Sequence, residues 1–251
     1  MAQNRLSNIR WRMAAVDYLA EVKKNTSYRQ LQEHLELGAS VMSRYVTGRV
    51  LPSDSKARKI VKVLSRLYGV SSLILSNVSV DADGLVDDTG IISSPKLLRL
   101  AATEAYASLA DVKPDKVVTM AADGIGYAVM LADLMDARVV VAKKEREKGV
   151  KKFVYAEVGV GDSGLSVGAY VPAGMISKRD VCLIVDDLVR TGETQRALGL
   201  LVKKAGGTVA GYSFLISIGD KWKGMLEPAA KVHLAASLKA DRAVGKVTRT
   251  R

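Results

Sequence analysis

Cysteine and histidine are nearly absent: a chain of 251 residues carries one cysteine, Cys182, and two histidines, His34 and His233. A single cysteine excludes an intramolecular disulfide framework and any metal site built from several thiolates, and two histidines leave no multi-histidine site. The expectation is a reducing, cytoplasmic compartment. No apolar run approaches the roughly 18 to 20 residues that span a bilayer, and the N-terminus has no signal-peptide core, so no membrane partner is expected. There is no GxxxxGK and no GxGxxG after a strand, which excludes the P-loop and dinucleotide styles of phosphate binding. What is abundant is apolar content, 48% of residues. That is enough for one large core or two modest ones.

Positive charge is unevenly placed. The net +12 divides into 13 Lys/Arg against 5 Asp/Glu in residues 1–70, an exact balance of 20 against 20 in 71–238, and 5 against 1 in 239–251. A basic module joined to a neutral one predicts a polyanion-binding part and a part with another task.

The first 70 residues read as helices with short turns. Leu6, Ile9, Met13, Val16, Leu19 and Val22 recur at three- and four-residue steps, followed by "SYRQLQEHLEL", "ASVMSRYV" and a fourth helix that Ser53 is placed to cap. Leu31 and Leu35 fall on one face of the second helix and Met42 and Tyr45 on one face of the third, so the turn "ELGA" folds the two together as a helix-turn-helix. The outward set is then Ser40, Val41, Ser43, Arg44 and Thr47, with Arg49 just beyond, side chains suited to base edges and phosphates of double-stranded DNA. A bundle used only for packing or dimerisation is the alternative. The stretch resembles the Cro/repressor-type helix-turn-helix, with Gln32 where a small residue is usual and Glu36 where the turn glycine is usual.

Residues 71–94, with "SSLILSNVSVDADGLVDD", read as a hairpin or extended linker. From 95 to 238, helical and strand patterns alternate, which predicts an α/β fold: a mainly parallel sheet covered by helices on both faces. Residues 239–251 read as a basic, frayed tail.

The working stretch of that second part is "VCLIVDDLVRTGET". A buried strand delivers Asp186 and Asp187 to its carboxyl end, the edge where open α/β sheets bind ligands. The loop that follows, Leu188, Val189, Arg190, Thr191, Gly192, Glu193 and Thr194, opens a helix whose first N–H groups and dipole suit a phosphate. Two carboxylates beside it suit vicinal ribose hydroxyls, held directly or through Mg²⁺.

This combination resembles the signature of type I phosphoribosyltransferases, over roughly residues 95–225. The resemblance implies binding of 5-phosphoribosyl 1-pyrophosphate (PRPP) or a nucleotide with Mg²⁺ at Asp186 and Asp187. It further implies a pyrophosphate loop from Ala122 through Asp123, Gly124 and Ile125 to Gly126, a basic strand end with Lys143, Lys144 and Lys148, and a flap over 149–170. Trp222 either stacks on a base or covers the sheet edge.

Two features weigh against efficient transfer. Asp123 sets a carboxylate against a diphosphate, and Arg190, which has no acceptor, stands where some purine-specific members place a proton-accepting carboxylate. The domain order resembles that of archaeal phosphoribosyltransferase-like regulators. The expectation is therefore a homodimeric transcriptional regulator linked to nucleotide metabolism, with no residue assigned as catalytic; the alternative is a working nucleobase phosphoribosyltransferase with an accessory helical N-terminus.

Overall fold

A computed structural model describes residues 2–82, 84–161, 164–240 and 247–249. The first helices are α1 (Ala2–Lys23), α2 (Tyr28–Leu35), α3 (Ala39–Val46) and α4 (Asp54–Tyr68). A capping box starts α2: Ser27 Oγ accepts from Gln30 N at 3.3 Å and Gln30 Oε1 accepts from Ser27 N at 2.9 Å. Ser53 occupies the N-cap position of α4, but its side chain caps nothing and meets Ser55 Oγ at 3.3 Å instead. Leu31, Leu35, Met42 and Tyr45 are all buried, which closes α2 on α3. Glu36 ends α2 in the left-handed conformation, φ 56° and ψ 36°, where glycine would be relaxed, and Lys59 of α4 holds its carboxylate.

From Ala14 to Val22, α1 has only one residue that is not fully buried, Val16. The reason is position: α1 packs against α4 on one side and α7 (Pro95–Ser108) on the other. Two carboxylates are buried with it. Asp17 accepts from Arg99 of α7 at 2.6 Å, and Glu21 from Lys24 at 2.6 Å. Burial raises the Asp17 carboxyl although the Arg99 guanidinium opposes it.

The linker differs from the extended reading. Val70 to Ser76 form a helix, α5, because Val70, Leu73 and Ile74 share one buried face at helical spacing, a period that the flanking serines hide. A two-residue hairpin follows, β1 (Ser79–Val80) with β2 (Val86–Asp87), and then the short helix α6 (Thr89–Ile92).

The main sheet is built from β3 (Lys116–Met120), β4 (Arg138–Ala142), β7 (Val181–Val189), β8 (Thr208–Ile218), β9 (Lys231–Ala240) and β10 (Val247–Arg249). Its order is β10-β9-β8-β7-β3-β4, parallel except for β10. Between β4 and β7 lies an antiparallel hairpin, β5 (Phe153–Gly159) and β6 (Ser166–Pro172). The expected frayed tail is corrected in part: residues 247–249 pair with Leu238–Ala240, while 241–246, 250 and 251 lie outside the described residues. Strand β9 has no counterpart in the sequence reading.

Alternation along the strands splits the core. Val117, Leu183 and Leu215 face α1, α7 and α8 (Ile125–Met135), whereas Val118, Ile184 and Phe214 face α9 (Glu193–Ala205) and the hairpin. Cys182 is buried, which pushes its thiol up to about 12 and leaves it unreactive. The first of these cores is continuous from α1 to the sheet, including Leu19, Leu64, Ile74, Leu98, Leu131 and Leu183. Leu19→Ala is therefore expected to cost about 2 to 5 kcal/mol. Calorimetry should show one unfolding transition for the helices and the sheet together, shifted as a unit by this substitution; two separable transitions would contradict a shared core.

Candidate functional site

Strand β3 has β4 on one side and β7 on the other, and the chain runs outward in opposite directions from this pair. That makes the carboxyl ends of β3 and β7 the topological switch point, where a crevice opens between two diverging connections. Residues 121–124 leave β3 and enter α8; residues 190–192 leave β7 and enter α9. Two helix N-termini thus begin beside one another at a single edge. Each presents N–H groups without an intrahelical acceptor, suited to anions.

Carboxylates crowd the floor between them. Asp186 is buried and accepts from Gln195 Nε2 of α9 at 2.7 Å. Burial, then the neighbouring Asp187, then Asp123 raise its carboxyl well above the ordinary range. Gly124 is where the 121–124 loop presses on this floor: a Cβ there would lie 2.8 Å from both Asp186 Oδ1 and Thr119 Oγ1. The opposite loop is fitted as closely. Gly192 has φ +94°, and a Cβ would stand 2.8 Å from Met225 Cβ and 3.1 Å from Trp222 Cα.

Asp88, between β2 and α6, was not foreseen from sequence, because nothing in "VDDTG" sets it apart from a hairpin acid. The fold brings it to Asp187. Burial, Asp187 and Asp123 push its carboxyl up to about 6, and its Oδ2 is buried with no hydrogen-bond partner. A buried carboxylate oxygen among other carboxylates is satisfied by a proton or by a cation. Hard oxygen donors of this kind fit Mg²⁺, and Asp186 and Asp187 are the residues placed to hold it. Among the described residues no three such side chains form a metal site by themselves. The ion's remaining ligands would therefore come from water and a bound phosphate ester.

The other expected site residues are placed as follows. Leu188 and Val189 complete β7, with Val189 buried in the core; Arg190 and Thr191 are exposed in the loop, and Glu193 and Thr194 open α9. Ala122 and Asp123 are exposed and Ile125 is half-buried at the start of α8. Lys143, Lys144 and Lys148 are exposed beyond β4; Lys143 pairs with Glu147 at 2.8 Å, and its backbone exchanges two 2.9 Å hydrogen bonds with Tyr170, tying β6 to the end of β4. The 149–170 segment contains β5 and the start of β6, a hairpin that packs on α9, with Tyr155 stacked on Tyr170 at 5.6 Å and Arg146 at 5.9 Å from both rings.

Trp222 is corrected as a base-stacking residue. It is 3% exposed, packs edge-on to Phe214 at 5.6 Å and donates to Gly219 O at 2.8 Å, so its indole is core and its backbone buttresses Gly192. The helix-turn-helix set is divided. Ser40, Arg44, Thr47 and Arg49 are exposed, whereas Val41 and Ser43 are half-buried and Val41 packs on the core.

A mainly parallel sheet whose switch point carries paired acids between two helix starts defines an α/β protein with a ligand crevice at that edge. Comparison with known proteins agrees. The chain is 30% identical over 136 residues to an adenine phosphoribosyltransferase of Anaeromyxobacter sp., covering 53% of this chain and 73% of that one. It is 32% identical over 163 residues to a hypoxanthine/guanine phosphoribosyltransferase of Methanotorris igneus, covering 64% and 85%. The crystal structure of adenine phosphoribosyltransferase from Rhodothermus marinus superposes with a TM-score of 0.61 at 27% identity, covering 67% of this chain and 98% of that one. No family model matches. The chain belongs to the phosphoribosyltransferase family, and it contains a type I phosphoribosyltransferase domain. Its relatives are nucleobase phosphoribosyltransferases, which favours the transferase alternative over the regulator expected from domain order. Since the Rhodothermus enzyme is matched almost whole, about a third of this chain has no counterpart in it.

The raised carboxyls give a pH signature. A group lifted from 3.8 to about 6 on folding takes up a proton, so stability falls as pH rises between those values and stays low above them. Asp88→Asn removes that charge. Without divalent metal it is expected to raise the unfolding midpoint at pH 7.5 and leave it nearly unchanged at pH 4, as read by thermal denaturation. Equal destabilisation at both values would show that Asp88 carries no unfavourable charge.

Proposed function

We propose that the protein binds PRPP with Mg²⁺ and transfers its phosphoribosyl group to a purine base. The observation that carries this reading is the pairing of Asp186 and Asp187 with two helix N-termini at one sheet edge. In this reading Asp187 and Asp186 orient the ribose hydroxyls and share the metal, while Arg190 to Thr194 and the start of α9 hold the 5-phosphate. Ala122, Asp123, Gly124, Ile125 and the start of α8 receive the pyrophosphate, with Lys143, Lys144 and Lys148 supplying positive charge from the end of β4. The bond from C1′ to pyrophosphate oxygen breaks as a base nitrogen bonds to C1′, and the base proton passes to solvent because Arg190 has no acceptor. Mg²⁺, when bound, neutralises the charge that develops on the leaving pyrophosphate. It also offsets the repulsion that Asp123 would otherwise exert on that group.

A second reading rests on a separate observation: α3 exposes Ser40 and Arg44, and Thr47 and Arg49 are exposed just beyond its end, in a segment with a net charge of +8. In that reading the helices of a homodimer bind double-stranded DNA, and occupancy of the cradle changes the binding.

One pair of assays separates the two. Pyrophosphate release from PRPP and Mg²⁺ with adenine or hypoxanthine is expected, and Asp187→Asn should lower it by about 100-fold. A mobility shift at low salt on DNA from upstream of the coding sequence, with and without PRPP, tests the second reading, in which Arg44→Ala weakens binding. PRPP-sensitive DNA binding without turnover of either base would overturn the transferase.

A further inference from the structure

Away from the cradle, α1, α4, α5 and α7 enclose a cavity of about 220 Å³. Its walls include Trp11, Val61, Val70 and Leu100, which present aromatic and aliphatic surface. Four polar residues break that surface: Ser65 and Thr103, whose hydroxyls donate to Lys62 O at 3.2 Å and Arg99 O at 2.7 Å, and Tyr18 and Glu104. Tyr18 is 3% exposed, and its hydroxyl is buried without a hydrogen-bond partner. Glu104 stands at the rim with its side chain 45% exposed; His233 Nε2 lies 3.9 Å from its carboxylate, and no Lys or Arg pairs with it among the described residues. Burial first, and then the Glu104 charge, raise the Tyr18 hydroxyl above its ordinary ionisation range, which places the two groups within electrostatic reach of each other.

A buried hydroxyl left unmade costs about 1 to 3 kcal/mol, so a structure retains one chiefly where something else satisfies it. A cavity of roughly 150 Å³ holds a benzene ring, so this one has room for a ring with a small polar substituent. A carboxylate beside an aromatic wall selects a cation with N–H donors.

We infer that this cavity is a binding site for a small aromatic amine or amidine, its ring between Trp11 and the aliphatic walls, its cationic N–H groups on Glu104 and the Tyr18 hydroxyl. The site lies between the N-terminal helices and α7 and is separate from the carboxylate cradle, so it stands whether or not the cradle performs transfer. It fits the general preference of ligands for junctions between packed units.

Benzamidine is the probe, titrated calorimetrically into the full-length protein. Saturable binding is expected, with benzamide, which lacks the charge, weaker by about tenfold or more, as expected for loss of a charge-assisted hydrogen bond. Glu104→Gln should weaken benzamidine by a similar factor and Tyr18→Phe by a smaller one. Ser65→Leu changes an exposed cavity-lining position of α4, so folding is retained while the cavity is filled, and binding should vanish. No saturable binding, equal affinity for benzamide, or affinity unaffected by both Glu104→Gln and Ser65→Leu would each overturn the assignment.

Discussion

Asp186 is a buried carboxylate beside Asp187, with Asp88 and Asp123 adding to the same field, and much of the architecture at the β3–β7 edge accommodates that concentration of charge. Gln195 supplies one donor from the first turn of α9. Gly124 allows the other loop to approach the same carboxylate where any side chain would collide with it. Such crowding is unfavourable in isolation, since each like charge raises the proton affinity of its neighbours. It becomes favourable when a divalent cation and a ligand rich in hydroxyls occupy the space. The raised carboxyls of Asp186 and Asp88 follow from burial and from this crowding of like charge.

The helical N-terminus is bound to this scaffold by more than a linker. Helix α1 shares a core with α7 and α8, Asp17 is bonded to Arg99, and Arg10 donates to Asp133 O of α8 at 2.8 Å. Helix α8 is the same helix whose N-terminus faces the crevice. A displacement of α1 therefore acts on an element of the candidate site by direct packing, without passing through the sheet.

Where a residue's neighbours lie nearby in sequence, its role was legible. "VCLIVDDLVRTGET" carries its strand, its acids and its glycine in one run, and Leu31, Leu35, Met42 and Tyr45 follow helical spacing that determines which face is buried. The cradle could be read because its parts are contiguous. Asp88 could not, because it becomes a site residue only through contact with Asp187, nearly a hundred positions later. Trp222 stayed open between two readings for the complementary reason: an aromatic near a site is compatible with stacking or with core, and its packing on Phe214 and behind Gly192 favours core. The α5 helix was concealed by serines and β-branched residues, whose local preference yields to burial of Val70, Leu73 and Ile74.

The cradle itself does not distinguish a transferase from a sensor, because holding PRPP and reacting it require the same grip on ribose and phosphate. The difference lies in whether the transition state is held better than the ground state. Three side chains bear on that balance. Asp123 would oppose a departing diphosphate, Arg190 can neutralise a phosphate but cannot take a proton, and the Asp88 carboxyl is pushed up to about 6 by burial and by Asp187. A cation held beside Asp88 and Asp123 would lessen their repulsion of an anionic ligand. Asp88 and Asp186, both raised by burial and by Asp187, thus belong to one acidic cluster with Asp123 and Asp187, of which the sequence motif contains only half.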